Sequence, residues 1–78
     1  MTEWCGIKVG GLYKATWQAE RYPNPLLALS IRERITWGEG RMAEVTFLTD
    51  GIELKWTIPE GARPGWCGPL VEELAAPA

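Results

Sequence analysis

Histidine is absent from this 78-residue chain. That removes the usual general base, the commonest metal ligand and the ordinary Ser-His-Asp and Cys-His arrangements. Cysteine is nearly absent as well: Cys5 and Cys67 are too few for a structural zinc site, which takes four Cys or His ligands. No apolar run approaches the ~20 residues of a membrane-spanning helix, and no charged-then-apolar leader opens the chain. No segment is a basic run and the formal charge is a mild −2, so nothing marks a sequence-specific DNA reader. A phosphate-cradling loop is missing too. Gly6 to Gly11 is glycine-rich but lacks the Lys-Ser/Thr ending and a following helix. Together these absences predict a soluble, cytoplasmic, non-catalytic protein with no metal and no cofactor.

What is present is alternation. Residues 27–58 read as three segments with period-two side chains, joined by two glycine turns. Asp50-Gly51 is the stronger turn, because a two-residue hairpin loop needs positive φ at both positions and Asp then Gly tolerate it. With those two residues as the loop, Thr49 pairs with Ile52, Phe47 with Leu54, Val45 with Trp56 and Ala43 with Ile58. All four pairs share one face and three are wholly apolar. The opposite face pairs Leu48 with Glu53, Thr46 with Lys55 and Glu44 with Thr57. A slip of one residue would scramble both faces, so the register is well specified.

The earlier turn is read in the same way. Gly38-Glu39-Gly40 serves as a three-residue loop, setting Ile35 opposite Ala43, Ile31 opposite Phe47 and Arg34 opposite Glu44. From Leu27 to Trp37 the odd positions are apolar except Glu33. A helix competes for this stretch: Asn24-Pro25 is a good helix start, and Leu27, Ile31 and Ile35 fall at helical spacing. The ending Ile35-Thr36-Trp37 favours a strand. Both readings stay open, a strand over 26–36 or a helix at about 25–35.

Ile7 to Trp17 reads as a further strand, interrupted by Gly10-Gly11, which permits a sharp bend. Gln18 to Pro25 is a polar connection. Pro59 to Pro69 holds three prolines and three glycines and reads as a loop. Leu70 to Leu74 is a short closing strand or one helical turn, and 75–78 is a frayed tail of a single domain spanning 1–78. This order of strand, long loop, three-strand meander, tight loop and short final element resembles the small five-stranded barrels of the SH3-like and Tudor-like kind. The resemblance implies an all-β fold in which the last short strand closes the sheet. The acidic-aromatic motif of the Src-homology peptide binders is missing after the first strand.

Five tryptophans and two tyrosines are more than so small a core can hold. Trp56 has the strongest claim to the interior. Tyr22, Trp37 and Trp66, on loops or beside a turn, are the candidate binding aromatics, since Trp and Tyr dominate interface hot spots. Glu33 is the anomaly: as a strand residue it lies on the apolar face opposite Val45, so its carboxylate must be paired, exposed or raised in pKa. It either turns outward at a bulge or anchors a site walled by aromatics. Arg32, Arg34 and Lys55 form a modest positive stripe on the outer face, with Glu44 and Glu53 beside them. Trp66-Cys67-Gly68-Pro69 resembles the active-site stretch of thioredoxins, but Leu70 stands where the second cysteine belongs. Cys5 and Cys67 are expected as reduced, partly buried thiols.

The expectation is a binding module whose partner is another protein or itself, using Tyr22, Trp37, Trp66 and Glu33. By analogy of size, it fits an accessory protein of a phage or mobile element. A homo-oligomeric barrel with a shared small-molecule cleft, of the kind seen in type II dihydrofolate reductases, is the second reading, although no stretch matches their cleft motif. Nucleic-acid binding through Arg32, Arg34 and Lys55 ranks third, and no membrane partner is expected.

Overall fold

In the computed structural model the described residues form an all-β fold. The structure describes residues 1–16, 18–35, 40–61 and 71–77. Its strands are β1 (Glu3–Trp4), β2 (Ile7–Lys8), β3 (Leu12–Ala15), β4 (Leu26–Ile35), β5 (Arg41–Thr49), β6 (Ile52–Pro59) and β7 (Val71–Ala75). β1 and β2 make a small hairpin of their own. The other five form one antiparallel sheet in the order β6-β5-β4-β3-β7.

The β5–β6 hairpin has the register that its turn chemistry dictates. Asp50 and Gly51 sit at φ 50° and 74°, and every pair from Thr49↔Ile52 to Ala43↔Ile58 is as alternation requires. Ala43, Val45 and Phe47 are fully buried on the concave face. Burying a side chain such as Val45 or Phe47 stabilises by about 1.5–3 kcal/mol relative to exposure. Phe47 also meets the rings of Tyr13 and Trp56 edge-on, at centroid distances of 6.2 and 5.4 Å.

Residues 26–35 are a strand, so the helical alternative falls, but the expected pairing is corrected. Ile35 pairs with Arg41, Glu33 with Ala43 and Ile31 with Val45. The register has slid by two, because five residues rather than three lie between the paired ends. A second correction follows from a bulge: Ala28 pairs with Phe47 and Ser30 with Thr46, leaving Leu29 as an extra residue. The bulge flips the parity, so Leu26 and Ala28 join Ile31 in the core, whereas the odd positions 27 and 29 were expected there. Leu74 is the matching extra residue on β7, between the pairs Tyr13↔Glu73 and Leu12↔Ala75. Ala75 is thus a paired residue of β7.

The single strand expected over 7–17 is in fact two. Cys5 and Gly6, at φ 50° and 83°, make a tight turn that pairs Trp4 with Ile7. A second turn then brings β3 alongside β4, where Gly10 N donates to Ala28 O and Ala28 N to Gly11 O at 2.8 and 3.0 Å. The β1–β2 hairpin lies over one end of the concave face. Trp4 Nε1 donates to Ile58 O at 2.9 Å, the Cys5 thiol to Pro59 O at 3.6 Å, and Ile7 is buried below.

β7 pairs with β3, as a closing strand should, yet the sheet does not become a barrel. Among the described residues no pairing joins β6 to β7. The barrel closure implied by the SH3-like resemblance is therefore corrected to an open five-stranded sheet, with the core on its concave side. No helix among the described residues is long and apolar enough to cross a membrane.

Candidate binding face

The two ends of the concave face are finished differently. At the β1–β2 end, Arg41 lies over the Trp4 ring, 5.5 Å from its centroid. Its Nε donates to Glu33 Oε1 at 2.5 Å and its Nη1 to Glu60 Oε2 at 3.0 Å. Glu33 therefore sits opposite Ala43, not Val45, and is exposed and paired. The hydrogen bond from Arg41 holds its carboxyl below the ordinary carboxylate value, against a weaker desolvation effect in the other direction. This cluster seals the core edge with charges around an aromatic ring.

Among the described residues the opposite end is left open. The 18–25 connection turns at Gln18 (φ 52°), with Arg21 N donating to Gln18 O and Tyr22 N to Ala19 O. Thr49 Oγ1 donates to Asn24 O, tying this loop to the end of β5. The loop thereby lays Tyr22 edge-on against Trp56, at 5.6 Å and 69°. Trp56, expected deepest in the interior, is only half-buried, because among the described residues β6 is the outermost strand and no further strand lies beyond it. Further along the same face Leu54 is half-buried and Ile52 is 60 % exposed. Tyr22, Pro23, Asn24, Ile52 and Leu54 line a shallow, mainly apolar groove of about 200 Å³, with Arg21 and Asp50 adding one charge of each sign.

The structure brings Tyr22 to Trp56 and Glu33 to Arg41, in two separate clusters. It does not join Tyr22 and Glu33 in one site. Trp37, Trp66 and Cys67 lie outside the described residues. Ile52, Leu54 and Pro23 were missed as site residues. No local pattern carried a signal for them: among the described residues β6 is the outermost strand, a placement set by long-range strand order, and an outermost strand leaves its apolar side chains less covered.

The outer-face cations are placed among acids. Arg34 Nη1 lies 3.3 Å from Glu44 Oε2 and Arg32 pairs with Glu44 across the strands. The ion pair expected from facing positions is thus a diagonal one. An open, polar depression of about 320 Å³ here is lined by Arg32, Glu33, Arg34 and Glu44. Its charges alternate, unlike the single-sign surface that tracks a phosphate backbone. No three His, Cys, Asp or Glu side chains among the described residues form a metal-holding group. No protein-family model, curated protein or solved structure matches the chain.

Proposed function

We propose that this chain is a non-catalytic protein-binding module acting through the open, β6 side of its concave face. One observation carries the reading. The face is fully buried from Ala43 to Phe47, yet it continues onto the exposed Ile52 and the half-buried Leu54 beside Tyr22 and Pro23. Apolar side chains beside an aromatic–proline wall give up water favourably when a partner supplies an aliphatic or proline side chain. The strand edge alongside, unpaired among the described residues, adds backbone donors and acceptors, which is the chemistry of strand addition.

Selection of displayed random peptides on the wild-type chain and on Ile52→Glu tests this. The expected result is a peptide set with an apolar anchor that is enriched on the wild type and lost on the variant. Amide shifts on binding should centre on Tyr22, Ile52 and Leu54. Peptides that bind both proteins equally, or that perturb only the Arg32–Glu44 surface, contradict the reading.

A further inference from the structure

We propose that the edge of β6, unpaired among the described residues, pairs with the β6 edge of a second copy of the chain, antiparallel, about a two-fold axis through Leu54. The inference rests on the binding-module reading and names the partner. A two-residue turn at Asp50-Gly51 makes Thr49 and Ile52 a hydrogen-bonded pair. Residues 52, 54, 56 and 58 then turn their backbone groups to β5, and 53, 55 and 57 turn theirs outward. The bond from Glu60 N to Arg41 O, at 2.8 Å, continues that alternation past the end of β6. The outward edge ends at Pro59, which has no N–H and whose carbonyl is taken by Cys5.

Charge then selects one register. With the axis at Leu54, Glu53 faces Lys55 of the second copy and Lys55 faces its Glu53, and both are outward, hydrogen-bonding positions. On the concave face Leu54 meets Leu54, and the exposed Ile52 meets the half-buried Trp56. An axis at Lys55 would set lysine against lysine, and one at Glu53 glutamate against glutamate. An axis at Trp56 would set Glu53 against the proline. Opposite charges across a strand pair stabilise and like charges destabilise.

A second edge that is unpaired among the described residues, along 31–35 of β4 where β3 has left it, has no such solution. Any two-fold axis at Arg32, Glu33 or Arg34 sets arginine against arginine. That edge is guarded against self-pairing, whereas the β6 edge is complementary to itself. Pairing would extend the sheet to ten strands and bury six apolar side chains that the β6 edge leaves exposed or half-exposed, Ile52, Leu54 and Trp56 of each copy.

Sedimentation equilibrium at about 0.1 mM, in the range of small transient interfaces, tests the pairing on four proteins: wild type, Glu53→Lys, Lys55→Glu and the double exchange. The wild type and the double exchange are expected at twice the 8.7 kDa of one chain. Each single variant is expected to dissociate roughly tenfold more readily. These side chains lie on the outer face, so folding is not at stake, and circular dichroism checks it.

Separately, Leu54→Cys in a chain with Cys5 and Cys67 replaced by serine is expected to oxidise to a covalent dimer. Residues at such a non-hydrogen-bonded pair lie about 4.5 Å apart at Cα, within disulfide reach. Ile52→Cys in the same background is expected not to. A monomeric wild type, or a double exchange as weak as the single variants, overturns the pairing. A monomer that still takes selected peptides at Ile52 and Leu54 overturns the pairing while the module reading survives, so the two failures are distinguishable.

Discussion

Replacing Gly11 with alanine adds one methyl group at the most crowded of the described glycines. The new Cβ would lie 2.8 Å from Tyr13 Oη, 2.9 Å from Tyr13 Cε2 and 3.1 Å from Lys8 O. None of these atoms is free to retreat. The Tyr13 ring is 2 % exposed and packed against Phe47, and its hydroxyl accepts Lys8 N–H at 2.6 Å. The backbone is held by Gly11 N to Lys8 O and by Ala28 N to Gly11 O, each 3.0 Å.

Overpacking of this kind costs about 1–3 kcal/mol, and displacing the tyrosine hydroxyl adds about 1 kcal/mol. A chain of this length holds roughly 4–12 kcal/mol in all, so Gly11→Ala should remove a large part of it. The melting temperature should fall by roughly 10–25 °C. Urea denaturation followed by tryptophan fluorescence measures the loss. Tyr13→Phe removes the nearest clashing atom, so the double variant should be about 1 kcal/mol more stable than the sum of the single losses. Additive losses, or a Gly11→Ala loss below about 0.5 kcal/mol, would refute the steric argument.

Gly51→Ala should be destabilising for a different reason. No atom lies within 4 Å of the added Cβ, but φ is +74°, where an L side chain costs about 1–2 kcal/mol. The denaturation midpoint should fall with an unchanged denaturant slope, and Gly51→Asn should lose less. The Glu33 carboxyl, depressed in the fold by Arg41, should contribute stability above the ordinary carboxylate range. That contribution should fade as pH falls through the lowered folded value. A carbon-detected titration of Glu33 in the wild type and in Arg41→Met checks this, and equal midpoints in the two would contradict the pairing.

Legibility from sequence followed the locality of each determinant. Asp50-Gly51 fixes the β5–β6 register because both the turn geometry and the two-faced alternation sit within twenty residues of chain. The β4–β5 register was two residues out, because Gly38 and Gly40 admit more than one loop length. The bulge at Leu29 inverts the parity of Leu27 and Leu29 without changing the composition of the strand. The Cys5-Gly6 turn was missed because cysteine is not a residue that usually takes positive φ.

Part of the site was legible. Tyr22 was recognised as a loop aromatic near the surface, and Glu33 as a carboxylate needing a partner. That Ile52 and Leu54 stand open depends on β7 pairing with β3 instead of covering β6, a long-range fact no local pattern carries. Trp56 was placed too deep for the same reason.

The account's central claim is that the outward backbone of β6 is the edge this protein uses. Amide hydrogen exchange across a range of protein concentrations tests it directly. The account predicts that the amides of Glu53 and Lys55 become protected as concentration rises, while those of Ile31 and Glu33 on the guarded β4 edge do not change. Exchange at Glu53 and Lys55 that is independent of concentration, or protection appearing at Ile31 and Glu33 instead, would contradict it.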